Sequence, residues 1–311
     1  MPTAVSTDSA KRALLDRLID DAALFPPANL TMLPALRAHA RHKESAYWWI
    51  GGRFVVPASR LDEFATARIG RDTIDLSVVL DAGVRGARGD TVRADLERTE
   101  RVRNLDGVTV SSFEARLPRL VLDDAAMQRI VADIVERYPS TDVAFWYESA
   151  YDAGWIAPPD EWLATLAAAR ASAPANLTIG AKVRCGGAAA GATPSIDDLA
   201  AFIAAAHAHD VPWKATAGLH HPVRRHGVHG FLNVLVAGIA LHAGAIEPAR
   251  VADVLAEIDP TAFVLDPAHL AWRNVRLDAE QVAAGRERCV ALGSCSFDEP
   301  VNDLRELGML S

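Results

Sequence analysis

Cysteine is scarce in this chain: three occur in 311 residues, Cys185, Cys289 and Cys295, with no CxxC pair. So sparse and odd a set argues against a disulfide framework and fits reduced thiols in a cytoplasmic protein. Cationic side chains are outnumbered, 32 Lys and Arg against 40 Asp and Glu, for a formal charge of −8. Holding a nucleic-acid backbone or an anionic membrane takes Lys and Arg clustered on one face, so neither partner is expected. Long apolar runs are missing too. The most apolar stretch, Phe231 to Leu241, is too short to span a bilayer, and the opening residues have no basic segment leading into an apolar one. HExxH, GxGxxG, Walker and GxSxG patterns are all absent.

What is present is alternation. Short β-branched or apolar runs exchange with longer stretches whose apolar residues fall three and four apart. The clearest helix follows Asp123, with Met127, Ile130, Val131, Ile134 and Val135 on one face. Ser195 and Asp198 form a capping box ahead of Ile196, Leu199, Phe202 and Ile203, and Ser59 with Asp62 repeats the pattern before Phe64. Pro248 and Asp278 open two further helices.

Between the helices lie eight predicted strands: Arg53 to Val56, Leu76 to Leu80, Val108 to Phe113, Val143 to Tyr147, Ile179 to Arg184, Pro212 to Thr216, Ala262 to Leu265 and Gly293 to Phe297. Strands joined by helical crossovers are parallel neighbours, and eight such units close into a barrel. The expected fold is therefore α/β, a single (β/α)8 TIM-type barrel over residues 46–311, with an open doubly wound sheet as the competitor. Residues 1–45 read as an N-terminal helical extension packed on the barrel, with helices at Ala10 to Leu18 and Leu33 to His42.

In a barrel of this kind the chemistry belongs at the carboxyl ends of the strands. Those ends carry Glu114, Glu148, Lys182, Arg184, Lys214, Thr216, His220, His221, Asp266, Ser294 and Ser296. Lys182 and Arg184 are two apart, so strand alternation sends both to one face, where they would meet Glu114 and Glu148. The bland counterpart is a structural ion-pair layer. Gly186 and Gly187, continued by Gly191, make a small-residue loop whose amides could cradle an anion ahead of the Ser195 helix, although such a loop is more often a plain turn. Lys214 lies in an apolar setting between Trp213 and Ala215. Desolvation there would favour the free amine that attacks a carbonyl, whereas a partner carboxylate such as Glu148 or Asp266 would make it structural. Cys185 and Cys295 read as buried, inert thiols, and Trp48, Trp49, Trp146 and Trp155 as pocket walls or core packing.

Lys182-Val-Arg, the Ser195 helix and Lys214-Ala-Thr-Ala-Gly together resemble the strand-five to strand-six unit of the deoxyribose-phosphate aldolase family, over about forty residues. The resemblance implies that Lys214, matching the lysine of the family's Lys-Thr-Ser-Thr-Gly on its sixth strand, forms a Schiff base. The pattern departs at strand seven, where the family has a second lysine and a Gly-Gly phosphate loop and this chain reads Val264-Leu-Asp-Pro.

The leading expectation is a lyase of aldolase type acting on a small, anionic carbonyl metabolite without a cofactor. Lys214 would serve as Schiff-base or general-base lysine, Glu148 and Glu114 as proton carriers, and Lys182 with Arg184 as the cationic partners. The alternative is a divalent-metal hydrolase or isomerase built on His220, His221 and Asp266. A third reading is a non-catalytic ligand-binding barrel, or one that pairs as a homodimer through the apolar Phe231 helix.

Overall fold

The computed structural model describes residues 9–68, 72–81, 89–118, 124–139, 142–150, 159–187 and 193–310. Asp123, Trp155 and Gly191 lie outside these. The strands are β1 (Ile19–Asp21), β2 (Gly51–Pro57), β3 (Ile74–Leu80), β4 (Val108–Pro118), β5 (Val143–Ala150), β6 (Leu177–Arg184), β7 (Trp213–Thr216), β8 (Phe263–Leu265), β9 (His269–Trp272), β10 (Val275–Asp278) and β11 (Cys289–Ser294). Eight of them close an all-parallel barrel in the order β1-β11-β7-β6-β5-β4-β3-β2. The TIM-type barrel is thus the fold. The helices are α1 (Ala10–Leu15), α2 (Met32–Lys43), α3 (Leu61–Ala67), α4 (Gly89–Arg103), α5 (Asp124–Arg137), α6 (Pro159–Ser172), α7 (Ile196–Ala208), α8 (Phe231–His242), α9 (Val251–Ala256), α10 (Ala279–Arg286) and α11 (Asp298–Glu306). Among the described residues no helix is long and apolar enough to cross a membrane.

Two strands differ from the sequence reading and offset each other in the count, and the last strand lies earlier than read, at Cys289–Ser294, so that Cys295 to Phe297 fall in the turn after it. The first wall strand is β1, inside the segment read as a helical extension; α1 is present, but it packs on α10 and leads directly into the barrel at Ile19. Ala262 to Leu265 supplies β8, which is not in the barrel. Asp266 accepts the amide protons of Ala268 and His269, a tight turn that reverses the chain at once. A strand so reversed pairs antiparallel, and β8, β9 and β10 form a small separate sheet lying against α1, α8 and α10.

Capping explains why several helices begin where they do. Ser195 and Asp198 exchange both bonds of a capping box at α7, and Asp278 and Gln281 do the same at α10. The Ser59 box does not form: α3 starts at Leu61, and the Ser59 amide and hydroxyl both donate to Asp81. The apolar run of α8 is buried from Phe231 through Leu241 between α7, α9, α10 and β11. A helix apolar all round is one enclosed on every side. Its surface is therefore used within the chain, and the notion of an exposed docking helix is set aside.

Inside the barrel, strand alternation turns Ala144, Trp146 and Glu148 of β5 inward. Gly180, paired with Trp146 across β5 and β6, is required there, since a Cβ would run into the indole and into the Pro212 carbonyl. The indole fills that level of the interior. Above it the residues are charged.

Candidate active site

Five ionisable side chains from five strands meet in the interior: Asp20 (β1), Glu114 (β4), Glu148 (β5), Lys182 (β6) and Lys214 (β7). Lys182 and Lys214 are cross-strand partners in the β6–β7 register, so their ammonium groups enter side by side. Lys214 Nζ donates to Asp20 Oδ2 at 2.6 Å and to Glu114 Oε1 at 2.7 Å. Lys182 Nζ donates to Glu114 Oε2 at 2.9 Å and lies 3.0 Å from Glu148 Oε2. Signs alternate along the chain of contacts, Asp20, Lys214, Glu114, Lys182, Glu148. All five are buried, the Lys214 side chain to 1% exposure and that of Asp20 to 0%.

The neighbours complete the coordination. Ser77 Oγ donates to Glu114 Oε1 at 2.8 Å, and the Arg53 amide donates to Asp20 Oδ1 at 2.8 Å. At the open end, Arg116 Nε lies 3.4 Å and Arg184 Nη1 3.9 Å from Glu148 Oε1. These guanidinium side chains remain 35% and 38% exposed, so the buried network ends in a cationic rim that solvent reaches.

Electrostatics follow from that packing. Burial alone would raise the pKa of Glu114, but the Lys214 and Lys182 ammonium groups outweigh it and hold the carboxyl well below the ordinary range. Burial alone would lower Lys182, yet Glu148 and Glu114 prevail and raise it above a normal lysine. Lys182 is a fixed cation. Lys214 has carboxylate partners as the structural reading foresaw, but they are Asp20 and Glu114 rather than Glu148 or Asp266.

The loops above are shaped by two glycines. A Cβ on either Gly186 or Gly218 would stand 2.8 Å from the other's Cα, so the turns after β6 and β7 cross in contact, and Gly218 has φ +74°. Ala217, the residue after Thr216, is itself left-handed at φ 62°, a conformation that costs a non-glycine residue about 1 kcal/mol or more. The Lys-Ala-Thr-Ala-Gly segment is thus a strained strand end forced by loop packing.

The other expected site residues are placed differently. Thr216 lines the β7 end against Gly293. Ser294 Oγ donates to the Ser296 carbonyl, and Ser296 Oγ accepts the Glu299 amide, so both serines build the turn into α11. His220 Nδ1 bonds Glu299 at 2.9 Å, and His221 Nδ1 bonds Asp303 at 2.6 Å with Arg225 also on its ring. Asp266 is in the β8–β9 turn, on the outer sheet. The three residues of the alternative metal site are therefore not brought together, and among the described residues no group of three or more His, Cys, Asp or Glu side chains is arranged to hold a metal ion. Gly187 is described, but most of its loop is not.

Sequence reasoning missed Asp20, Arg53 and Ser77. The only signal for Asp20 was a pair of acids in an apolar run, Leu18-Ile19-Asp20-Asp21-Ala22; alternation then turns Asp20 into the barrel and Asp21 outward to His39 on α2, 2.9 Å away. It also took Cys295 for an inert thiol. Cys185 and Cys289 fit that description, each pushed up to about 12 by burial. Cys295 is partly exposed, and its sulfur faces His220.

Compared with known proteins, the chain matches no family model, no curated protein and no solved structure.

Proposed function

We propose that this barrel is an enzyme acting on a small anionic carbonyl compound, with lyase chemistry of aldolase type and Lys214 as the amine that forms an imine. The observation that carries this reading is the buried alternating network, in which a lysine stands between two carboxylates below an exposed cationic rim. An apolar barrel interior needs no charges at all. Here the groups needed for amine catalysis lie within hydrogen-bond reach of one another.

Each residue has work that its position suits. Arg184 and Arg116 at the rim attract and orient the substrate anion. Lys182 polarises the carbonyl oxygen, and Lys214 takes the amine role. Lys214 Nζ passes a proton to Asp20, its nitrogen lone pair adds to the carbonyl carbon, and the resulting carbinolamine loses water to give the imine. Glu148 and Glu114 then serve the proton transfers that accompany bond cleavage. The substrate's own anion enters near Arg184 and Glu148, where it competes for the guanidinium and loosens the network.

Strand order bears on the family resemblance. Counted from β1, Lys182 is on the sixth wall strand and Lys214 on the seventh, so a lysine does stand on strand seven. By strand number the resemblance would give the imine to Lys182.

The test is reductive trapping. Native protein is incubated with sodium cyanoborohydride and, separately, pyruvate, glyoxylate, glyceraldehyde and glyceraldehyde 3-phosphate, and the adduct is located by peptide mass spectrometry. The reading expects one adduct at Lys214 from an anionic carbonyl, absent in Lys214→Met. An adduct at Lys182 reassigns the amine, and no adduct with any carbonyl ends the imine mechanism.

A further inference from the structure

Above the lysine centre, the end of β11 and the loop after β7 bring together three side chains that the proposed imine chemistry does not use. β7 and β11 are neighbours in the barrel wall, with Thr216 opposite Gly293. Two residues beyond Gly293 stands Cys295, and four beyond Thr216 stands His220. Cys295 Sγ lies 3.9 Å from His220 Nε2, and His220 Nδ1 lies 2.9 Å from Glu299 Oε2 on the first turn of α11. The order is nucleophile, base, orienting carboxylate, the arrangement by which a weak nucleophile is activated, at a sulfur–nitrogen distance normal for a site without substrate.

We propose that Cys295, His220 and Glu299 form a second, nucleophilic centre at the barrel mouth, which takes activated acyl groups, esters or thioesters, onto the Cys295 sulfur.

Each part of the geometry serves that role. Glu299 accepts the Nδ1 proton of His220, so Nε2 presents its lone pair to the thiol. Cys295 precedes α11, a nine-residue helix, by three positions, so the thiol stands just before the turn that carries Glu299. The His220 imidazole is raised above its ordinary value, chiefly by the bond to Cys295 with Glu299 adding to it and burial opposing. Its other near neighbour is His221, ring centroid 6.4 Å away, which Asp303 and Arg225 engage. Cys295 is partly exposed while the chain's other two cysteines are buried, so a reagent should distinguish it from them.

The steps balance without any outside oxidant. His220 Nε2 takes the thiol proton as the sulfur lone pair forms a bond to the acyl carbon. The bond from that carbon to its alkoxide or thiolate leaving group breaks, and the leaving group takes the proton from His220. Water, deprotonated by the same nitrogen, then adds to the thioester and releases the carboxylic acid and the Cys295 thiol. None of this requires the lysine reading, and neither of its partners belongs to the buried network.

p-Nitrophenyl acetate is the probe. Mixed with the native protein it should give a burst of one p-nitrophenolate per chain, with the acetyl group located on Cys295 by peptide mass spectrometry and Cys185 and Cys289 unlabelled. General-base assistance supplies factors of about a hundred or more, so His220→Gln should slow the burst at least about tenfold and Glu299→Gln by a smaller factor. Iodoacetamide should alkylate Cys295 at pH 7 about tenfold faster than it alkylates glutathione, an advantage lost in His220→Gln. Glu299 is exposed, so its variant keeps the test informative if His220→Gln does not fold. Acetylation at a lysine or serine in place of Cys295, no burst, or equal rates in wild type and Glu299→Gln overturns the proposal.

Discussion

Lys214→Met removes one ammonium from the barrel centre while keeping much of the side-chain volume. Asp20 then retains the Arg53 amide at 2.8 Å, and Glu114 retains Lys182 at 2.9 Å and Ser77 at 2.8 Å. Removing one partner of a buried pair costs about 3–5 kcal/mol, because the charge left behind is uncompensated. Since each carboxylate keeps a donor, that range applies once and is not doubled. With an unfolding entropy of about 2.1 cal/mol/K per residue, it lowers Tm by roughly 5–8 °C in a chain of this length. Urea unfolding of wild type, Lys214→Met and Lys214→Met/Glu114→Gln at pH 7 measures it, and the double variant should be more stable than the single one, the mark of coupled sites. The pH dependence has a definite sign. In the wild type Glu114 titrates below its ordinary value, so its stabilisation is complete above that value and is lost as pH falls toward the folded one. Without Lys214 the carboxyl takes a proton more readily, and the gap between variant and wild type narrows on acidification from about pH 6 to 4. A variant within about 1 kcal/mol of wild type at pH 7, or a gap that widens in acid, refutes the reasoning.

The same method reaches two other places. Asn233 Nδ2 donates to the carbonyls of Val254 and Glu257 at 2.8 Å each, and its Oδ1 accepts the Arg224 amide at 2.9 Å, tying α8 to α9 and to the loop before it. Asn233→Ala should therefore cost about 2–3 kcal/mol in chemical denaturation, and a loss under about 0.5 kcal/mol would show that water replaces those bonds. Lys182 titrates above its ordinary value in the folded chain, so its contribution is whole below about pH 10.4 and fades as pH rises toward the folded value. Lys182→Met should accordingly flatten the loss of stability above pH 10, read as urea midpoints against pH; an alkaline limb as steep as wild type contradicts the assignment.

Much of the barrel was legible because its signals are local. The α7 box is a four-residue pattern and the Asp278 cap a single residue, and two-residue alternation puts Lys182 with Arg184 on one face from the sequence alone. What failed, the Ser59 box aside, was what is short or non-local. Three residues, Ile19 to Asp21, are too few to display a period of two, so the strand carrying Asp20 was read as part of an extension. Phe263 to Leu265 has the composition of a wall strand and is excluded only by the Asp266 turn that follows. That exchange had a consequence at the mouth. Reading β8 as a wall strand inserted it between β7 and β11, and so separated Cys295 from His220, which the true order makes neighbours across 75 positions of sequence.

The two centres differ in what reaches them, and that difference follows from the strands. A TIM-type interior is ordinarily filled by branched apolar side chains, and replacing a buried ion pair with such residues is often neutral or stabilising. Five charged groups at the level above Trp146 are thus weak fold stabilisers, and Glu148 Oε1 is buried there without a hydrogen-bond partner. On the proposed function they are the layer that carries protons beneath the Arg184 and Arg116 rim. Cys295 and His220 stand where the chain has left the wall, and both residues are partly exposed, whereas Cys185 and Cys289 are buried. The barrel therefore sorts its ionisable groups by depth: paired lysines and carboxylates buried in the interior, and a partly exposed cysteine beside a histidine at the rim.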